Sequence, residues 1–171
     1  MTQFAVLTGH LTRRSRPGAI ARALADELRP TGADVIEIAV GEIPHSALMA
    51  GNHDHPAVRR TQRALTGADA VAVVLPRYDP HGSTPLWTWL AMLPPRALDG
   101  KPALPIGLGT LRSHSIGLAN ALPTPDPLPP TYLYDTWFTA PDWTPTPRAQ
   151  SLLHRAATTL RTATHPALAA A

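Results

Sequence analysis

Cysteine is absent from the 171 residues. That excludes disulfides, thiol nucleophiles and thiolate metal ligands. Lysine is nearly absent as well: Lys101 is the only one, and the other basic side chains are arginine. Aromatic residues are few, at 5%. The basic residues are spread along the chain and not gathered into one patch, which speaks against a nucleic-acid partner. No apolar run approaches the roughly 20 residues of a membrane-crossing helix. The opening MTQFAVLTGH enters a strand pattern directly and lacks the long apolar stretch of a leader. The expectation is one domain over residues 1–171, cytoplasmic, with no membrane partner and a core that needs no staples.

What the chain does have is proline, 20 residues, about twice the usual share. Many fall between Pro123 and Pro147. Proline blocks helix interiors and central ladder positions, so that segment is expected to be irregular or extended. Net charge is +3 with histidine neutral. Arginine in place of lysine suits phosphate recognition through its planar fork.

Hydrophobic patterning sets the order of elements. Phe4 to Leu7 reads as a first strand, followed by the polar loop TGHLTRRS. A helix follows, capped by Ser15 or Arg16, with Pro17 in its first turn and Ile20, Leu24 and Leu28 inward. Val35, Ile36 and Ile38 make a second strand, and Gly41 to His55 a long loop. Pro56 to Thr66 is a second helix with Val58 and Leu65 inward. Val71 to Leu75 is a short apolar run of the kind buried on both faces. Pro76 ends it, and a polar loop leads to a helix with Leu86, Leu90 and Leu93 on one face and Trp87 and Trp89 elsewhere. Pro102 to Leu108 is a fourth strand and Tyr132 to Phe138 a fifth. Pro147 to Thr164 closes the chain as a helix with Leu152, Ala156 and Leu160 in register, and residues 165–171 form a flexible tail. Alternating strands and helices imply an α/β flavodoxin-like three-layer sandwich, with a five-stranded parallel sheet in the order 2-1-3-4-5.

In such a sheet ligands bind beyond the carboxyl ends of the strands, where the strand order reverses. Three loops lie there. Thr8 to Arg16 places hydroxyls at Thr8, Thr12 and Ser15 and guanidinium groups at Arg13, Arg14 and Arg16 before a helix N-terminus, whose N–H groups and dipole favour a phosphate. The dinucleotide and P-loop fingerprints are absent. Pro76 to Ser83 offers Tyr78 to stack on or edge a planar ring, with Ser83 and backbone N–H groups for its polar rim. Gly107 to His114 offers glycines that let backbone approach a ligand. His10, His81 and His114 follow the first, third and fourth strands and can face one cleft, but their spacing demands no metal and none is assigned. His53-Asp54-His55 reads as a polar surface loop. Neither a nucleophile elbow nor a Ser/His/Asp set stands out.

The run from Leu75 to His114 resembles the NADPH-dependent FMN reductase family, in its branch that supplies reduced FMN to alkanesulfonate monooxygenases. Pro76 and Tyr78 match the Pro-x-Tyr that ends its third strand, and Ser83 what remains of a serine-rich loop. Leu93, Pro94, Ala97, Leu98, Gly100 and Lys101 match a Leu-Pro-x-x-Ala-Leu-x-Gly-Lys segment. Leu104-Pro105, Gly109 and His114 match a Leu-Pro strand, a glycine loop and a histidine, and Gly9, Ser15 and Arg16 the phosphate loop.

The resemblance implies FMN as cofactor, NADPH or NADH as co-substrate and a partner monooxygenase. It implies a phosphate site on Thr12, Ser15 and Arg16, and a ring site between Pro76–Ser83 and Gly107–His114. The implied flavin contacts are Gly9, His10, Thr12, Arg14, Ser15, Arg16, Pro76, Arg77, Tyr78, Asp79, His81, Ser83, Gly109 and Thr110. Family members assemble through the third and following helices, so a homodimer or homotetramer is implied, with Trp87, Trp89 and Met92 as its apolar surface. The sequence departs from the family at His10 and His81, where serine is usual. It departs again at Thr84 for glycine, at Trp87 and Ala91 for lysine and aspartate, and at PTPDPLPP, where a long helix is usual. These departures leave a second reading: a repurposed enzyme without flavin redox chemistry, using His10, Tyr78, His81 or His114 as acid–base groups on a small substrate.

Overall fold

The computed structural model describes residues 2–9, 14–76, 84–118 and 120–164. Strands β1 (Gln3–Thr8), β2 (Asp34–Ala39), β3 (Ala70–Pro76), β4 (Ala103–Gly109) and β5 (Thr131–Tyr134) form one sheet in the order β2-β1-β3-β4-β5. All four pairings are parallel. The order and direction are those of a flavodoxin-like sheet, as the alternation of strand and helix patterns requires.

The pleat explains the layering. Successive side chains of a strand point to opposite faces. Phe4 and Val6 of β1, and Ala70, Ala72 and Val74 of β3, join one apolar cluster with helices α1 (Arg16–Leu28) and α5 (Pro147–Thr164). Ala5 and Leu7, with Val71, Val73 and Leu75, join a second with α2 (His45–Met49), α3 (Pro56–Gly67) and α4 (Thr84–Ala91). Every residue of β3 is buried, as its unbroken apolar run foretold.

Local chemistry fixes the helix starts. Ser15 caps α1 with its Oγ accepting from Gly18 N at 3.2 Å, and Pro17 stands in the first turn. His55 caps α3: its Nδ1 accepts from Ala57 N at 3.2 Å. The His53-Asp54-His55 loop is thus partly a capping device. Lys101 Nζ donates to the carbonyls of Thr66 (2.8 Å) and Ala68, tying down the far end of α3. Pro105 lies inside β4 without breaking it. Leu128 N donates to Ala103 O (2.8 Å), so odd positions of β4 face β5, and β5 pairs only from Ile106 onward. Pro105 therefore sits at the mouth of that ladder, where its missing N–H costs little.

The structure corrects four expectations. The Gly41–His55 loop contains a one-turn-plus helix, α2, too short for its periodicity to register. The fifth strand stops at Tyr134. Asp135–Trp137 form a 3-10 turn, and Phe138 enters a two-stranded antiparallel hairpin of β6 (Phe138–Thr139) and β7 (Thr144–Pro145). Trp89 does not point away from the core: it is fully buried with Leu86 and Leu90, and its Nε1 donates to Thr61 Oγ1 at 3.0 Å. Positions 86, 89 and 90 share a helix face at i, i+3 and i+4, so the indole turns inward with the leucines. Met92 is buried too, which leaves Trp87 as the outward member of the three residues assigned to a subunit surface. On α5, Leu152 is half-buried against the core, as expected, and Leu153 is the more deeply buried of the two, together with Ala149, Ala156, Ala157 and Leu160. Among the described residues no helix is long and apolar enough to cross a membrane.

Candidate active site at the carboxyl edge of the sheet

The chain leaves β1 toward α1 on one side of the sheet, while β3 lies against the other edge of β1. This reversal opens a crevice beyond the carboxyl ends of β1 and β3. Thr8, paired with Val74, is one of the few buried polar residues and ends β1 there. Gly9 follows and is buried. A Cβ placed on Gly9 would lie 2.6 Å from Leu86 Cβ. Helix α4 is pressed against Gly9 so closely that only glycine fits.

The N-terminus of α1 faces this edge. Ser15 is buried and occupied as the cap, and Pro17 offers no N–H. Arg14 is exposed beside it. The positive end of the helix dipole, with an exposed guanidinium next to it, suits an anion. Ser15→Ala is expected to lower stability by about 1 kcal/mol through loss of the cap, measured as a shift in the urea unfolding midpoint.

Arg16 is placed differently from a simple phosphate ligand. Its guanidinium stands over the Trp143 ring, 4.2 Å from the centroid, and its Nη1 lies 3.6 Å from Asp135 Oδ2. Nothing in local sequence signals either partner.

The loop after β4 is held from within. Gly109 is glycine because the chain itself fills the space: a Cβ there would lie 2.7 Å from His114 Nδ1 and would collide with the Tyr132 hydroxyl. At Gly107 a Cβ would meet Leu118 Cδ2 at 2.6 Å and the Tyr132 ring at 2.9 Å. The glycines make room for Tyr132, His114 and Leu118. His114 Nδ1 accepts from Thr110 N at 3.3 Å, and Tyr132 Oη donates to Leu111 O at 2.8 Å. His114 therefore braces the loop, and the Thr110 amide is already spent on it. Tyr132, Tyr134 and Trp137 continue as edge-to-face ring pairs along the end of β5.

Of the predicted site residues, Gly9, Arg14, Ser15, Arg16, Pro76, Gly109, Thr110 and His114 gather along this edge, at the ends of β1, β3 and β4. His10, Thr12, Arg77, Tyr78, Asp79, His81 and Ser83 lie outside the described residues, as does the 165–171 tail. Among the described residues no cluster of three His, Asp or Glu could hold a metal. Sequence reasoning missed Asp135 and Trp143, which hold Arg16, and Tyr132, which shapes the β4 loop.

A sequence profile of the family described as NADPH-dependent FMN reductase matches residues 2–124. An FMN reductase (NADPH) of Pseudomonas putida is 32% identical over 114 residues, covering 67% of this chain and 58% of that protein. An FMN reductase (NADPH) of Escherichia coli is 29% identical over 108 residues, covering 63% of this chain and 56% of that protein. The chain thus spans little more than half the length of these relatives. Among solved structures, an apo NADH:FMN oxidoreductase superposes with a TM-score of 0.79 at 22% identity, covering 94% of this chain and 89% of that one. The flavoenzyme NAD(P)H:(acceptor) oxidoreductase of Paracoccus denitrificans gives a TM-score of 0.62 at 20% identity, over 95% and 98% of the two chains.

Proposed function

The chain belongs to the NADPH-dependent FMN reductase family, and on that premise we propose that it binds FMN at the carboxyl edge of its sheet and reduces it with NADPH or NADH. One observation carries the reading: the capped N-terminus of α1, flanked by the exposed Arg14, faces the β1–β3 switch point, where a phosphate would be held. The donors there are backbone and guanidinium groups, the chemistry that fits a phosphomonoester.

The protein's contribution is to bind and orient. Ser15 fixes the helix start, Gly9 keeps α4 close, and the braced 109–114 loop makes a firm wall on the β4 side. When bound, the flavin supplies the hydride chemistry, so no protein acid or base has to be found in the chain. That suits a described site whose one histidine, His114, is engaged in holding its loop. The reduced flavin would pass to a partner monooxygenase.

Titration of FMN fluorescence against the purified protein, followed by NADPH and NADH oxidation assays with FMN present, tests this. The expected result is saturable quenching of FMN and flavin-dependent loss of the reduced nicotinamide. A protein that leaves FMN fluorescence unchanged overturns the flavin reading and favours repurposed acid–base chemistry. Binding without nicotinamide oxidation overturns the reductase reading alone.

A further inference from the structure

Along the chain the basic residues are dispersed, but the winding of α3 brings three of them to one side. Pro56, Arg59, Arg60 and Arg63 stand at i, i+3, i+4 and i+7, the spacing of one helix face. The helix contains no acidic residue. Its other face is committed to the fold. Val58 and Leu65 are buried, Thr61 Oγ1 accepts from the Trp89 indole, and Gln62 Nε2 donates to Met92 O at 2.6 Å. The arginines are exposed. Among the described residues their guanidinium groups have neither an ion pair nor a hydrogen bond. With Asp54 and Pro56 they line one shallow depression of about 420 Å³.

This arrangement works against the helix that carries it. Like charges at i, i+3 and i+4 repel, and cations in the first turns oppose the dipole. No contact within the fold offsets that cost. The backbone beneath is firmly held: His55 caps the first turn, and Lys101 Nζ bonds the carbonyls of Thr66 and Ala68 at the far end. A fixed stripe of unpaired guanidinium groups is suited to carboxylates, which their planar forks match.

Three details select the occupant. A second copy related by a two-fold axis through this face would set arginine against arginine. None of the lining residues is aromatic, so a nucleobase has nothing to stack on. Asp54 in the lining repels a polyphosphate but can accept from a peptide N–H. The helix also runs from the carboxyl edge of β2 back to the amino edge of β3. Its arginine-bearing turns therefore lie toward the edge at which the proposed flavin site opens.

We propose that the Arg59, Arg60 and Arg63 face of α3 docks an acidic segment of a partner protein. Asp or Glu side chains of that segment meet the guanidinium groups, and its main-chain N–H groups face Asp54. The inference goes beyond the flavin reading and requires no bound flavin.

Fluorescence anisotropy of a labelled oligoglutamate peptide, titrated with the full chain, tests it. The peptide is expected to bind saturably and to weaken as salt rises. Arg59→Glu/Arg63→Glu is expected to lower its affinity about tenfold or more. The same variant is expected to melt no lower than wild type, because it relieves repulsion and suits the dipole. Arg96→Glu/Arg155→Glu makes the same change in net charge at other exposed positions, and is expected to lose less than about threefold. Should the α3 Glu variant fail to fold, Arg59→Gln/Arg63→Gln carries the test, with a loss in the same direction.

A wild type that does not bind the peptide overturns the proposal. An equal loss in the two charge-matched variants would reduce the effect to net charge, and overturns it too. Tighter binding of an oligothymidylate of equal charge, lost in the same α3 variant, would replace the acidic protein by a nucleic acid. FMN enters none of these outcomes, so the flavin reading stands or falls separately.

Discussion

Trp89→Ala is expected to destabilise the protein by about 3–5 kcal/mol, the usual loss on truncating a buried large aromatic. In a chain of this length that corresponds to a drop of roughly 10 °C in melting temperature, read by circular dichroism. The indole is completely buried between α3 and the inner face of α4, and it ranks among the largest side chains that the core encloses. Its Nε1 donates to Thr61 Oγ1, so the buried polar edge is satisfied, as buried indoles require. Thr61 Oγ1 also lies 3.0 Å from Ala57 O and 2.9 Å from Val58 O. It keeps partners when the indole is removed, so the loss is one of packing. Trp89→Phe retains most of the volume and is expected to cost far less. Equal losses for the two variants would contradict this account.

Gly9→Ala is expected to strike binding more than stability. The added methyl meets Leu86 at its Cβ, the root of a side chain fixed to a helix, so no rotamer change relieves it. Either α4 moves or Gly9 does, and Gly9, the last described residue after β1, stands beside the proposed flavin site. Overpacking of this kind costs roughly 1–3 kcal/mol. Where Gly9 absorbs it, FMN affinity is expected to fall about 10- to 100-fold. Fluorescence titration measures the loss. FMN affinity equal to wild type would show that the loop after β1 takes no part in binding.

The elements that rest on a strong period were legible in the sequence. Both β3 and α5 were readable from one continuous apolar run and one long helical stripe. The cap at Ser15 was readable because a hydroxyl, a proline and an apolar stripe coincide. Trp89 was within reach and was misplaced: its spacing from Leu86 already put it on the inner face. The fifth strand ran on too far because Tyr132, Tyr134, Trp137 and Phe138 share strand-like composition. In fact Asp135 starts a turn there, and Phe138 packs with α5 from a separate hairpin.

The site was legible only as loops at one edge of the sheet. Whether a glycine serves a ligand or a neighbouring side chain depends on what fills its missing Cβ. At Gly107 and Gly109 the occupants, Tyr132 and His114, come from residues whose proximity is created by the fold. The same holds for Arg16. Its place in a serine-arginine loop was visible, but its carboxylate and its aromatic neighbour arrive from beyond β5.

The two apolar clusters have no residue in common. The sheet is therefore a partition between two nearly independent bodies of packing. A change in volume among α2, α3 and α4 is borne by one side, while α1, α5 and the hairpin keep their own contacts. Distant sites without shared partners contribute additively. Volume changes on the two faces are therefore expected to add in their effect on stability.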